Sequence, residues 1–331
     1  MKILVTGSAG HLGEALVRRQ KAAGHEVVSL DINSSPHTSA VGSITDAAFV
    51  ARHMTGVRVV YHAATLHKPH VATHGKSDFV ATNIQGTLNL LEAAVAEGVE
   101  AFVYTSTTSL FGHAMRPPAT EPAAWVTENL RPIPRNIYGV TKSAAEDLCH
   151  LFHRRHDLNC IALRTSRFFP EDDDDRTRRD EFDPENCKVN ELLFRRVELA
   201  DVVSAHEVAA ARAADLGFGV FIISATTPFR PEDVAQLRND APTVLRRRVP
   251  EFEAVYHARG WRMFQGIDRV YDNTAARTVL GWEPGYDFRR ALSNLESGEE
   301  LWSALALEVG VKGYHDEVFE DGPFPVEPDR D

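Results

Sequence analysis

Tyr138 and Lys142 stand four residues apart in Tyr138-Gly139-Val140-Thr141-Lys142, a spacing that sets both side chains on one face of a helix. A phenol of ordinary pKa about 10 is a poor base at neutral pH, but a neighbouring ammonium favours the phenolate. A drop of three units asks for roughly 4 kcal/mol of differential stabilisation. The chemistry this pair suggests is removal of a proton from a hydroxyl. Upstream, Tyr104-Thr105-Ser106-Thr107-Thr108-Ser109 is a hydroxyl-rich strand end able to aim an OH at the same oxygen. A tyrosine and lysine at this spacing arise often by chance, so the weight lies in what precedes them.

What precedes them is Thr6-Gly7-Ser8-Ala9-Gly10-His11-Leu12-Gly13, directly after the apolar run Ile3–Val5 and opening a helix. Glycine at these points permits a tight turn, lets backbone approach a pyrophosphate and packs helix on strand. The helix start at His11 and Leu12 offers unpaired N–H groups and a positive dipole end. Asp31 ends the second strand at about the 20-residue distance of a ribose-binding carboxylate, with Ile32 beside it. It can accept from both adenosine ribose hydroxyls and would repel a 2′-phosphate. No Arg or Lys follows in Ile32-Asn33-Ser34-Ser35, so the expected cofactor is NAD rather than NADP. A positive nicotinamide ring would add to Lys142 in favouring the Tyr138 phenolate. His62-Ala63-Ala64-Thr65 follows another strand, and its small residues would let a ribose and pyrophosphate lie flat; simple close packing is the bland alternative.

These groups need elements to hold them. Short β-branched runs alternate with helix-period segments: strand Ile3–Val5, helix Leu12–Ala23, strands Val27–Leu30 and Val57–Tyr61, helix Asn83–Ala96, strand Ala101–Thr105, helix Tyr138–Arg154 and strand Cys160–Arg164. That rhythm predicts an α/β fold, a Rossmann-type doubly wound parallel sheet with a smaller C-terminal substrate lobe. We expect a cofactor-binding domain over 1–165, a substrate lobe over 166–310 whose strand 219–224 returns to the main sheet, and a tail over 311–331. The charged run Pro170–Asp180 lacks periodicity and reads as a solvated loop, and a helix is expected over Asp201–Leu216. From Gly310 onward the chain reads as a loosely packed end.

Composition narrows the function. With 331 residues, 43% hydrophobic and 25% charged, the chain can bury a sizeable core, and no apolar run approaches the roughly 20 residues of a membrane helix. A net charge of -11 argues against a phosphate-backbone partner, so no nucleic acid is expected. Three cysteines, Cys149, Cys160 and Cys187, make no CxxC pair; together with a first strand that leaves no room for a secretory signal, they point to the cytoplasm.

Taken together, TGxxGxxG, Asp31, His62-Ala63-Ala64, Asn83-Ile84-Gln85-Gly86-Thr87, Tyr104 to Gly112, Tyr138 to Lys142 and the closing Leu280-Gly281-Trp282-Glu283-Pro284 resemble the extended short-chain dehydrogenases of the NAD-dependent epimerase/dehydratase type, over about residues 1–290. The resemblance implies Thr107 as the catalytic hydroxyl, Tyr138 as acid/base and Lys142 on the nicotinamide ribose. It further implies Asp31 on the adenosine ribose, Ser43-Ile44 at the adenine edge, and Ala63, Ala64, Thr65, Asn83 and Thr105 along the cofactor path. Thr107, Thr108, Arg167 and Arg196 are the expected substrate contacts, with Arg195 a further candidate. Family members commonly dimerise through the helices at Asn83–Ala96 and Tyr138–Arg154, so a homodimer is expected.

Two departures limit the match to nucleotide-sugar epimerases. Arg167 stands where these commonly carry Asn, and Phe169–Asp201 is shorter than the segment that wraps their nucleotide. The expected function is a sugar or nucleotide-sugar epimerase working by transient hydride transfer. Alternatives are a dehydrogenase of a free sugar, sugar acid or other secondary alcohol, and a non-catalytic NAD sensor. A 4,6-dehydratase fits less well, because Thr108-Ser109 follows Thr107 where a carboxylate pair would be needed. His62, His67, His70 and His74 crowd together, but no Cys or carboxylate joins them at ligand spacing, and no metal is expected.

Overall fold

Apolar runs too short for helices and bounded by turn residues become the strands of one sheet. The computed structural model describes residues 1–313 and Phe319. The chain opens with β1 (Lys2–Thr6), α1 (His11–Ala22), β2 (Glu26–Asp31), β3 (Ala40–Val41), α2 (Ala47–Met54) and β4 (Val59–His62). Next, α3 (Lys76–Phe79), a π turn (Val80–Gln85) and α4 (Gly86–Glu97) lead to β5 (Ala101–Thr107). After β6 (Ala124–Val126) come α5 (Ile137–His156) and β7 (Cys160–Thr165). The remainder holds α6 (Arg176–Glu181), α7 (Pro184–Leu192), α8 (Leu199–Leu216), β8 (Phe218–Ile223), α9 (Val234–Leu237), α10 (Ala241–Arg248), α11 (Phe252–Arg259), β9 (Arg269–Tyr271), α12 (Phe288–Ser297) and α13 (Ala304–Val309).

Seven strands form the main sheet in the order β3-β2-β1-β4-β5-β7-β8, all paired in parallel. This is a Rossmann-type doubly wound fold. The strand order reverses between β1 and β4, which opens a crevice at their C-terminal ends where such sheets take ligands. Register brings the chemistry level at that edge: Thr6 pairs with His62, His62 with Tyr104, and Thr107 with Thr165.

Both faces of the sheet are covered, which explains why its strands read as nearly unbroken apolar runs. Ile3, Val5 and Val103 pack with Leu12 and Leu16 of α1 and Val202, Ala205 and Ala209 of α8. On the other face, Leu4, Val60 and Phe102 pack with Leu90 and Leu91 of α4 and Ala145, Cys149 and Phe152 of α5. Each Val, Leu, Ile or Phe among them taken fully out of water stabilises the fold by about 1.5–3 kcal/mol, so these two layers hold the sheet edge that carries the crevice.

A second core gathers Leu192, Phe194, Leu245, Phe252, Tyr256, Phe264, Phe288 and Leu292 from the chain beyond β7. It is tied back by the parallel pair β6 and β9, where Ala124 meets Arg269. The Leu280-Gly281-Trp282 turn is a further tie. Trp282 is buried and donates to Ser204 at 2.9 Å, while Asp201 accepts from Gly285 at 2.7 Å and Tyr286 at 2.8 Å.

Three expectations need correction. Pro170–Asp180 is not a solvated loop: it contains most of α6, and Glu171 and Asp173 are buried, because Arg195 meets Asp173 while His11 and the backbone of Lys312 and Gly313 meet Glu171. Asn83 opens no helix of ordinary pitch but sits in the π turn before α4. The end read as loose from Gly310 is bonded at its start, where Lys312 donates to Glu14 at 2.5 Å; apart from Phe319, residues 314–331 lie outside those described. Among the described residues, no helix is long and apolar enough to cross a membrane.

Candidate active site

One cleft of about 1530 Å³ runs along the C-terminal edge of the sheet, roomier than the roughly 300–1,000 Å³ of an ordinary small-molecule site and wide enough for a dinucleotide and a second small molecule. Gly7, Gly10, His11, Leu12, Gly13, Asp31, Ile32, Ser43, Ile44, Ala63, Ala64, Thr65 and Thr105 line one half. Thr107, Thr108, Tyr138, Arg167 and Arg195 line the other. The sequence candidates are therefore largely brought together.

The glycine turn is built for close approach. Gly7 has φ +76, and a Cβ there would come within 2.8 Å of the Ala64 nitrogen. A Cβ on Gly13 would come within 1.9 Å of the Gly7 carbonyl oxygen. Glycine is thus forced at both positions, by backbone rather than by a flexible neighbour. Asp31 at the end of β2 accepts from Ala9 at 2.9 Å and Asn33 at 2.8 Å, which fixes its carboxylate at the rim of the turn. His62 is buried, bridging Thr6 at 2.8 Å and Thr87 at 2.9 Å, and burial pushes its pKa well down. It is a neutral tie between β1, β4 and α4.

At the other half, α5 begins where the Asn136 side chain accepts from Gly139, and its first turn delivers Tyr138 to the end of β5. The Thr107 hydroxyl accepts from Ser109 at 3.1 Å and stands with the Tyr138 phenol in the cleft. Burial pushes Tyr138 up to about 12, against the lowering effect of the Thr107 hydroxyl. Lys142 lies one turn on, buried, with its ammonium donating to the Thr105 carbonyl at 2.6 Å and 4.1 Å over the Tyr104 ring. Burial pulls Lys142 down to about 7, opposed by Glu146. The expected depressed phenol is thus not a property of the protein alone. Burial outweighs the Thr107 hydroxyl, and a positive charge beside the phenol is needed to favour release of the proton.

Behind this pair, Glu146 accepts from Ser106 at 2.5 Å and from Arg164 at 2.8 Å, locking α5, β5 and β7 together.

Three expected contacts stand elsewhere. Lys142 does not line the cleft but lies beneath it, as the bond to Thr105 requires. Asn83 is 1% exposed and acts as a bracket, not a lining group: it accepts from Leu66 at 2.9 Å and Thr65 at 3.0 Å, and donates to the Leu66 carbonyl at 2.9 Å and Thr141 at 3.0 Å. Arg196 is not a substrate contact. It is 4% exposed and turned inward to Glu191 at 2.7 Å and the Phe169 carbonyl at 2.9 Å, because the carboxylate it pairs with is itself buried.

Sequence reasoning missed Arg116, Arg135 and Arg269, which also line the cleft. They come from three separate segments with no shared spacing, so no local signal announces them. Among the described residues, Asp173, Cys187 and Glu191 bring ligand-type atoms together. Arg195 enters that group, however, bonded to Asp173 and to Glu191 at 2.5 Å, so it reads as an ion-pair cluster.

A doubly wound sheet with a glycine-lined dinucleotide cradle and a Thr-Tyr-Lys constellation defines an NAD(P)-type oxidoreductase class. The model of the NAD dependent epimerase/dehydratase family matches residues 3–208, and the chain belongs to that family. It is 31% identical over 188 residues to an uncharacterized UDP-glucose epimerase of Bacillus subtilis (strain 168), a match covering 50% of this chain and 55% of that protein. It is 27% identical over 179 residues to an NAD-dependent glucose-6-phosphate dehydrogenase of Haloferax volcanii, covering 49% of this chain and 66% of that one. The chain thus spans about half to two thirds of these relatives' lengths. Among solved structures, MoeE5 in complex with UDP-glucose and NAD superposes with TM-score 0.62 at 22% identity, covering 89% of this chain and 98% of that one. The chain is an enzyme of this oxidoreductase and isomerase family, and its cofactor is NAD. The forced glycines and the oriented Asp31 carboxylate fit that cofactor.

Proposed function

We propose that this chain oxidises a secondary alcohol of a sugar, with Tyr138 taking the hydroxyl proton. The observation that carries the reading is that Thr107 and Tyr138 line the same cleft as the glycine turn, with the buried Lys142 one helical turn beyond Tyr138. Bound NAD supplies the hydride acceptor. Thr107 orients the substrate oxygen, Tyr138 exchanges its proton, and Lys142 holds positive charge beneath the Thr105 carbonyl. General acid–base catalysis of this kind contributes about 10²–10⁴-fold. A binding-only NAD sensor would not need the three groups assembled in this way.

Two outcomes of that first step are open to the same residues. In an epimerase the hydride returns to the other face and no redox change results; in a dehydrogenase the oxidised sugar leaves. The epimerase reading is supported by MoeE5, a UDP-glucose-bound protein whose chain is covered almost end to end, and the dehydrogenase reading by the Haloferax relative. Incubating the protein with NAD and a panel of nucleotide sugars, free sugars, sugar acids and sugar phosphates, while following NADH absorbance and epimer formation, separates them. Tyr138→Phe, which keeps the ring and removes the ionisable oxygen, is expected to lose at least about 100-fold in kcat with NAD affinity little changed. Thr107→Ala is expected to lose less. Near wild-type turnover in Tyr138→Phe would overturn the assignment.

The assembly we propose is a homodimer through the outer faces of α4 and α5. Val140 and Leu151 of α5 are about half exposed, at 49% and 46%, apolar surface that a partner would cover. The three free, buried cysteines support a cytoplasmic protein.

A further inference from the structure

One oxygen of the Glu171 carboxylate gathers groups from far-separated segments. His11, the first residue of α1, brings its Nε2 to 2.9 Å from Glu171 Oε1. The backbone N–H groups of Lys312 and Gly313 donate to the same oxygen at 3.2 Å and 3.1 Å. The Lys312 ammonium is fixed separately, one turn along α1, where it donates to Glu14 at 2.5 Å; Glu14 also accepts from Arg18 at 2.7 Å. The chain arrives here from α13, whose Val309 is buried in the core that holds Leu12 and Leu16 and whose Glu308 pairs with Arg18 at 3.3 Å. On the other side, Arg167 donates to the carbonyls of Glu171 at 3.1 Å and Asp172 at 2.6 Å. The Phe169 ring meets His11 edge-on, with centroids 5.3 Å apart.

These contacts lie at the cofactor half of the cleft. His11, Phe169, Lys312 and Gly313 line it together with Gly7, Gly10 and Gly13, and the start of the helix after such a turn is where a dinucleotide's pyrophosphate is received. Stability alone gives little reason for the arrangement. Glu171 is 9% exposed, and its Oε2 has no hydrogen-bond partner among the described residues; an apolar side chain of similar size often serves a fold as well as a buried charge does. Burial acts to raise its pKa, yet His11 and the backbone N–H of Lys312 hold the carboxyl below the usual range. What the carboxylate secures is a join. Without it, two backbone bonds and the His11 contact go together, leaving the Lys312 ammonium on Glu14.

We propose that Glu171 is a positioning residue for NAD: through one oxygen it sets His11 at the glycine turn and draws the Lys312-Gly313 backbone to the wall of the cofactor cleft, a strap that must part for NAD to leave. The inference concerns retention of the cofactor and is independent of the sugar-oxidation reading.

The test is the NADH off-rate of the full chain, read as loss of bound-cofactor fluorescence on a chase with excess NAD, beside the NAD dissociation constant from calorimetry. Glu171→Met keeps the bulk, removes both oxygens and is expected to fold. It should raise the off-rate and weaken NAD at least tenfold with little change in on-rate, while the cofactor-free protein melts close to wild type. Glu171→Gln keeps an acceptor for the two N–H groups and is expected to stay within about threefold of wild type, a rescue that bulk alone cannot give. Gly313→Pro removes one of those N–H groups at an exposed position and is expected to raise the off-rate several-fold; it carries the test if Glu171→Met does not fold. An unchanged off-rate in folded Glu171→Met or in Gly313→Pro overturns the proposal, as does a Gln variant that releases cofactor as fast as the Met one. Loss of NAD binding in step with a large fall in the melting temperature of cofactor-free Glu171→Met would assign the carboxylate to the fold and overturn it as well.

Discussion

Lys142 on α5 donates to the carbonyl of Thr105 at 2.6 Å, and it does so from the sheet face opposite to the one that holds the Thr105 side chain. That hydroxyl meets His206 of α8 at 2.8 Å, and His206 is anchored in turn to the Val202 carbonyl at 2.8 Å. The C-terminal end of β5 is thus clamped between helices of both layers, two residues before Thr107.

Lys142→Met tests what the buried amine costs and what it supplies. Its pKa is about 7 in the fold against 10.5 for an ordinary lysine, so between these values the unfolded chain binds a proton that the folded chain does not. Stability contributed by this site therefore rises with pH across that window, and the full penalty is present below about pH 7. At pH 6 the Met variant is expected to melt no lower than wild type, while turnover and NAD affinity both fall. A large loss of melting temperature at pH 6 would mean that the ammonium holds the fold together instead of being tolerated by it.

His206 predicts the opposite end of the pH scale. Burial lowers it to about 4 from 6.5, so its contribution is complete above pH 6.5 and is lost as pH falls towards 4. The difference amounts to about 3 kcal/mol at most. His206→Gln, which can keep a donor and an acceptor, is expected to flatten the fall of the urea midpoint between pH 6.5 and 4. An unchanged slope would place the titration elsewhere.

Asp31 predicts cofactor choice. With its carboxylate fixed by Ala9 and Asn33 at the rim of the glycine turn, NAD is expected to bind at least about tenfold tighter than NADP, a difference of about 1.4 kcal/mol. Asp31→Ala is expected to narrow that gap, mostly by weakening NAD. Equal dissociation constants for the two cofactors in wild type, measured by calorimetry, would remove the carboxylate from this role.

Much of this was legible before any coordinates because its physics is local. Four residues along a helix bring Tyr138 and Lys142 to one face wherever that helix lies, and only glycine can occupy a turn where a Cβ would strike backbone 1.9 Å away. The βαβ rhythm follows from the same kind of rule, since a parallel strand buried on both faces must be apolar throughout. Element ends were less legible. The Asn83 region carries the pattern of plain helix, yet its side chain is spent on the Leu66 backbone and the ladder widens into a π turn.

What sequence determined by itself, then, is the cofactor cradle and the proton-transfer pair, each written within one short segment whose spacing carries its geometry. Only the tertiary structure decided which charges meet. Asp174 lies 106 residues from Lys68, and Asp173 lies 22 from Arg195. Arg116 and Arg269, far apart in sequence, line one cleft. A carboxylate in a charged run looks solvated because nothing in its neighbours tells which distant cation the fold will carry to it. The energy that settles the question is the loss of water around both groups, and that happens only when the folded chain buries them together.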